Sequence, residues 1–228
     1  TDGGGITFFN LQTESFSTLR HSADDPHSLP TDALTLLYRD YSENLWIGTV
    51  RNGFLNMRES FIRSFQDVTP QKSGICRGLS KRTVGSLFED YDGTLWVGTD
   101  GGGINAFDPE TETFRHYGKT FGKSISSITA WDKETLLISV FNEGVFLFSK
   151  VTGRMSPFQI VDDKYDREER LAGVTPSIHR ITADKLYIIS RRIHVYHPQT
   201  GCFSEVRPGG NEPMPKGMKL VYSDTKVS

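Results

Sequence analysis

The chain has 228 residues, which is enough to bury one sizeable hydrophobic core. Its formal net charge of −2 creates no field that would attract nucleic acid or an anionic membrane surface. No run of residues approaches the roughly 18 consecutive apolar residues of a transmembrane helix. The composition therefore argues against a nucleic-acid partner and against direct membrane insertion.

Short strand-like segments separated by glycine-rich turns repeat along the chain. Residues 1–20 resemble the last two strands of a repeat, because Gly5 to Phe9 matches Gly103 to Phe107. Complete copies, and the start of a further one, follow at 33–66, 83–117, 125–160, 176–207 and 218–228. The chain thus opens inside one repeat and ends inside another, and we expect residues 1–228 to be one propeller fragment.

The two clearest copies share nearly identical segments. Residues 45–49 are Leu-Trp-Ile-Gly-Thr, and residues 95–99 are Leu-Trp-Val-Gly-Thr. A self-similar period of about 40–50 residues built from short strands is typical of a β-propeller. We therefore predict an all-β propeller of about five four-stranded blades. The innermost strands are predicted to begin near Ala33, Val84, Ile125 and Ser177.

Residues that recur at equivalent positions of the two best copies are predicted to be structural. An aromatic residue inside a strand, at the same place in successive repeats, indicates packing between blades rather than a platform for a sugar ring. The predicted structural positions are Trp46, Trp96, Gly48, Gly98, Gly53 and Gly103.

Candidate ligand-binding residues lie in the turns between the second and third strands and in the long connections between blades. In a propeller these segments meet on one face around the central channel, and loops on a rigid scaffold often bind ligands. The candidates are Arg51, Asn52, Asp100, Asn142, Glu143, Arg191, Arg192 and, in the connection spanning residues 67–82, Arg77. The cations of that connection would suit a carboxylated or sulfated sugar, and they are Lys72, Arg77, Lys81 and Arg82.

No cofactor or metal site is predicted. The six histidines do not combine with cysteine or aspartate in a metal-ligand spacing. Asp90, Asp92 and Gly93 begin like a calcium loop but lack its later oxygen ligands, so we predict a hairpin turn there. Cys76 and Cys202 occupy non-equivalent positions and are interpreted as free thiols, with no role assigned.

The segment from Glu89 to Thr99, followed by Gly101 to Asn105, resembles the two-component regulator propeller repeat. The resemblance implies the periplasmic sensor of a hybrid two-component histidine kinase, found chiefly in Bacteroidetes, that detects oligosaccharides and regulates glycan-utilisation genes. It also implies that the rest of the sensor kinase chain is a partner and that the ring is larger, with about seven blades. Leu137 and Tyr187 replace the tryptophan in later copies, which departs from the repeat.

Two alternatives stay open besides a non-catalytic sensor. A propeller lyase or hydrolase would need a pair of acidic groups on the channel face, for which Asp100 and Glu143 on neighbouring blades are available. A structural propeller would mediate dimerisation without a ligand of its own. We expect self-association, because we favour an open arc, which would leave apolar blade faces bare. The alternative is a small closed ring in which Met218 to Tyr222 joins the blade of Gly5 to Phe9. We expect no enzymatic activity from this chain.

Overall fold

The computed structural model of the chain describes residues 3–25, 28–58, 61–68, 74–161, 168–169, 174–182, 185–190 and 192–206. Apart from one turn of 3₁₀ helix at Gly118–Thr120, every regular element among these residues is a β-strand. No helix in this part of the chain is long and apolar enough to cross a membrane. The predicted all-β class is confirmed.

The strands form five successive units, which we call blades I to V. Blade I contains β1 (Ile6–Asn10) and β2 (Ser15–Leu19), and blade II contains β3 (Leu34–Arg39), β4 (Leu45–Thr49), β5 (Phe54–Arg58) and β6 (Phe61–Phe65). After β7 (Gly74–Cys76), blade III contains β8 (Val84–Glu89), β9 (Leu95–Thr99), β10 (Gly103–Asp108) and β11 (Thr113–His116). Blade IV contains β12 (Ile125–Ala130), β13 (Thr135–Val140), β14 (Gly144–Ser149) and β15 (Met155–Pro157). A short hairpin of β16 (Ile160–Val161) and β17 (Glu168–Glu169) precedes blade V, which contains β18 (Ser177–Thr182), β19 (Lys185–Ile189), β20 (Ile193–His197) and β21 (Cys202–Glu205).

Each complete blade is an antiparallel meander whose strands are paired in chain order. The count of about five four-stranded blades needs correction, because the described residues form four complete blades and the two-stranded blade I. Blade III carries a fifth strand, since β7 pairs with the outermost strand β11. Residues 218–228, the predicted start of another blade, lie outside the described residues. The predicted larger ring stays a prediction.

The hydrophobic core lies between the blades rather than inside any one of them. Trp46 and Phe54 of blade II pack against blade III, and Trp96 of blade III packs against Ile125 and Phe148 of blade IV. Leu137 of blade IV likewise packs against blade V. Because each blade buries its apolar surface only against its neighbours, the interfaces between blades supply most of the hydrophobic stabilisation.

Two of these interfaces contain a tryptophan paired with an aspartate. Trp46 Nε1 donates to Asp40 Oδ2 at 2.8 Å, and Trp96 Nε1 donates to Asp90 Oδ2 at 3.1 Å. Each aspartate stands in the turn six residues before its tryptophan, so it accepts the indole proton that burial would otherwise leave unpaired. Asp90 also forms a buried ion pair with Lys150 of blade IV, with Nζ and Oδ2 2.5 Å apart.

The repeated glycines lie where another residue would collide with its surroundings. Gly53 has φ of +72°, and a Cβ atom placed there would lie 1.8 Å from the Phe65 carbonyl oxygen at the end of β6. Gly103 is placed in the same way against Thr120. At Gly48 and Gly98 the added carbon would meet side chains on the inner strands of their own and the next blade. The repeated glycines therefore allow close approach between strands and between blades.

Glu89 gives the blade II–III interface a dependence on pH. Its Oε2 accepts the Tyr41 backbone N–H at 2.6 Å, and burial raises the pKa of Glu89 above its ordinary value near 4.5. Folding therefore favours the protonated carboxyl, and this contribution to stability is lost as pH rises through the raised pKa. We expect Glu89→Gln, which can still accept the Tyr41 hydrogen bond, to be more stable than the wild type at pH 7.

Thermal melts at pH 4 and pH 7 check this expectation. The advantage of Glu89→Gln should disappear at pH 4, where the wild-type carboxyl is also neutral. Glu43→Gln is the matched control, because Glu43 is a half-exposed partner of Arg39 and should show no comparable gain. An equal gain from Glu89→Gln at both pH values would contradict the assignment.

Candidate ligand-binding face

The turns between the second and third strands are bonded to the start of their own blade. The backbone N–H groups of Val50, Asp100 and Phe141 donate to the carbonyl oxygens of Ala33, Thr83 and Ser124, at 3.1, 2.9 and 2.9 Å. Each acceptor directly precedes an innermost strand. We call the surface formed by these three turns (residues 50–52, 100–102 and 141–143) and the adjoining connections the upper face.

The same turns are bonded to the connection that leads into the next blade. Gly53 N–H donates to Arg82 O at 2.7 Å, and Gly103 N–H donates to Lys123 O at 3.0 Å. In blade IV the Asn142 N–H donates to Thr175 Oγ1 at 2.9 Å. Each turn is therefore held between two connections, and the side chains of the upper face project from a backbone that is already ordered.

The part of the upper face at blades II and III is rich in cations. Arg51 is exposed on its turn, and the exposed Lys81 lies beside the turn of blade III. Arg82 is paired with Asp67, with Nε and Oδ1 3.2 Å apart. Asn52 is half-buried, and its Nδ2 donates to Pro30 O at 3.3 Å, so its side chain helps to hold the preceding connection.

The part at blades III and IV is built from paired polar groups. Ser124 Oγ donates to Asp100 Oδ1 and accepts the Gly101 N–H at 3.2 Å. Lys123 Nζ lies 2.7 Å from Glu143 Oε1. Ser124 and Lys123 are residues that the repeat pattern does not single out, because they lie in the connection between the repeated segments.

Most of the predicted ligand-binding residues lie on the upper face. Arg77 lies away from it, and Arg191 is outside the described residues. Arg77 directly follows β7, at the outermost edge of blade III, because β7 pairs with β11 rather than running near the channel. Arg192 is exposed in the equivalent turn of blade V and lies 3.6 Å from Glu205. Arg191 lies outside the described residues.

One exposed aromatic side chain on this face is absent from the predicted set. Phe141 occupies the turn position of blade IV that Val50 and Asp100 occupy in blades II and III, and it is 58% exposed. The repeat could have identified this position, because Phe141 lies 41 residues after Asp100 and the same offset relates blade IV to blade III.

Cys76 and Cys202 form no disulfide bond with each other. Cys76 Sγ lies 3.1 Å from His116 Nε2, which in turn lies 2.7 Å from the Gly78 carbonyl oxygen. This contact fastens β7 to the outer edge of blade III. Within the described residues no group of three or more histidine, cysteine, aspartate or glutamate side chains could hold a metal ion.

Comparisons with known proteins agree with this architecture. Residues 78–101 match the family model described as the two component regulator propeller. The extracellular domains of two B. thetaiotaomicron proteins described as hybrid two component systems superpose with TM-scores of 0.66 and 0.63, at 20% and 17% sequence identity. The matches cover 92% and 90% of this chain but only 26% and 25% of those domains, so the chain spans about a quarter of their length.

A streptogramin B lyase also superposes, with a TM-score of 0.58 at 10% identity, covering 90% of this chain and 62% of the lyase. Comparison with curated proteins finds no match to the sequence. At these identities the structural likeness establishes the fold alone.

The repeated four-stranded blades and their superpositions define the chain as a β-propeller. Within that class, the segment from Gly78 to Gly101 is similar to the two-component regulator propeller repeat.

Proposed function

We propose that the chain is a ligand-sensing propeller on the periplasmic side of a hybrid two-component histidine kinase. In this proposal its ligand is an oligosaccharide, and occupancy regulates genes for glycan utilisation through the rest of the sensor kinase chain. The matched repeat and the likeness to extracellular domains of hybrid two component systems support this class of function.

The observation that carries the proposal is the construction of the upper face. Three successive turns are each clamped between two connections, so binding groups on them are held in place before a ligand arrives. Preorganisation of this kind reduces the conformational entropy that binding must overcome. Exposed Arg51, Asn142 and Glu143 then offer donors and acceptors suited to a polyhydroxylated ligand.

The catalytic alternative is less well supported by the acidic groups present. Asp100 accepts the hydroxyl proton of Ser124, and Glu143 is paired with Lys123. Hydrolysis of a glycosidic bond needs one carboxyl as general acid and a second as base or nucleophile, whereas each of these two is already bonded to a neighbouring side chain. A structural propeller that dimerises without a ligand stays a second alternative.

Calorimetric titration of the full-length protein with a panel of purified neutral and acidic oligosaccharides tests the proposal. We expect at least one to bind, and Arg51→Ala to weaken that binding by several fold. Arg154→Ala is the matched control, because Arg154 is exposed after the third turn of blade IV on the opposite face. Release of shortened products, abolished by Asp100→Asn, would establish the enzyme instead. Failure of every sugar to bind would overturn the sensor proposal.

A further inference from the structure

Phe141 exposes an aromatic ring on the upper face, in the turn of blade IV. Other strongly exposed aromatic residues lie elsewhere, with Tyr41 and Tyr91 in the first turns of blades II and III on the opposite face. A phenylalanine that is 58% exposed gains only part of the stabilisation that full burial would give, and the exposed part of its side chain remains available for contact with another molecule.

The ring is displayed from a turn that the structure holds firmly. The Phe141 N–H donates to Ser124 O at 2.9 Å, and the next residue, Asn142, has φ of +58° and donates its own N–H to Thr175 Oγ1. A left-handed backbone costs even an asparagine some energy, and it persists where the surrounding structure offsets that cost. Here the connections on both sides supply the bonds, so the backbone that carries the ring is fixed.

Polar groups lie close to the Phe141 backbone, on its own turn and on the side of blade III. Ser124, whose carbonyl holds the Phe141 backbone, also bonds Asp100, and Glu143 of the same turn is paired with Lys123. The carboxylates retain further lone pairs that can accept hydroxyl protons. Lys123 is already paired with the carboxylate of Glu143, so its positive charge is largely neutralised before an anionic sugar arrives.

We infer that Phe141 is a stacking platform for a neutral pyranose ring, with Asp100 and Glu143 accepting hydrogen bonds from its hydroxyl groups. The inference rests on the proposed function and narrows its ligand at blades III and IV to a neutral sugar. The physical basis is that the face of an aromatic ring is electron-rich and attracts the polarised C–H groups on one face of a pyranose. A uronate would instead bring its carboxylate towards two existing carboxylates.

The test is calorimetric titration of the full-length protein with cellohexaose, xylohexaose and mannohexaose as neutral probes and hexagalacturonate as the anionic probe. We expect a neutral probe to bind and Phe141→Ala to weaken it by about tenfold, the change that corresponds to about 1.4 kcal/mol. Phe141→Tyr keeps the aromatic face and should bind like the wild type. Phe141→Leu keeps an apolar side chain without that face and should resemble the alanine variant.

Tyr91→Ala serves as the matched control, because Tyr91 is 73% exposed on the opposite face and its loss should leave binding unchanged. If a neutral probe binds and Phe141→Ala binds it equally well, then Phe141 is not a stacking platform. The sensor proposal would still stand. Binding of hexagalacturonate alone would likewise overturn the platform and leave the sensor proposal standing. If no probe binds to the wild type, the inference fails together with the function on which it rests.

Discussion

Replacing Trp96 with alanine is expected to lower the free energy of unfolding by about 3–5 kcal/mol, the usual range when a buried aromatic side chain is truncated. Trp96 is only 3% exposed, and its ring packs against Tyr117 and Phe148 at the interface of blades III and IV. The variant would also leave Asp90 without the indole proton that it accepts. The expected loss of stability therefore has two causes, which are a cavity at the interface and a lost hydrogen bond to Asp90.

Chemical denaturation with fluorescence or circular dichroism measures this loss. Tyr91→Ala is a suitable comparison, since it removes an exposed aromatic ring from the same blade and should change stability by less than about 0.5 kcal/mol. A Trp96→Ala variant that kept its melting temperature but no longer bound a sugar would show that the indole serves the ligand rather than the interface.

Replacing Gly53 with alanine is expected to cost roughly 3 kcal/mol or more, from a left-handed backbone and a steric collision. The added methyl group would lie 1.8 Å from the Phe65 carbonyl oxygen, which is a backbone atom and cannot rotate away. To relieve the collision, β6 would have to move from its place at the edge of blade II.

Gly93 separates the two causes, because it has φ of +81° with nothing within 4 Å of the position of a Cβ atom. Gly93→Ala should therefore cost only about 1 kcal/mol, which comes from the backbone conformation alone. Melting curves of the two variants measured side by side give the steric part as their difference. Equal losses of stability in the two variants would mean that the end of β6 moves away from the added methyl group without an energetic cost.

The strands could be predicted from sequence because their signals are local. The observed innermost strands begin at Leu34, Val84, Ile125 and Ser177, within one residue of the predicted positions. Turn glycines and alternating apolar residues recur from copy to copy. Each copy therefore supports the strand assignment of the others. The same register also located the turns that carry Arg51 and Asp100 on one face.

Contacts between segments distant in the chain could not be predicted in this way. The pairing of β7 with β11 gives blade III an extra strand and moves Arg77 to its outer edge, although β7 has only three residues and no repeated counterpart. The ion pair between Asp90 and Lys150 joins residues 60 positions apart. No pattern within a single repeat could indicate either contact.

The aspartate–tryptophan pair of blades II and III has a different counterpart in blade IV. Trp131 occupies the turn position of Asp90, with the same backbone bond across the turn, and Leu137 occupies the position of Trp96. The Trp131 ring packs against Phe158 and Tyr196 at the interface with blade V. The aromatic bulk has thus moved from the strand to the turn, within the same interface.

This exchange means that the two positions cannot drift independently. An aspartate introduced at 131 alone would place a carboxylate among aromatic rings with no indole N–H beside it, and a tryptophan at 137 alone would overfill the interface. A substitution at either position therefore favours a compensating substitution at the other. Two copies of the repeat can keep one architecture and still differ at both positions of the pair.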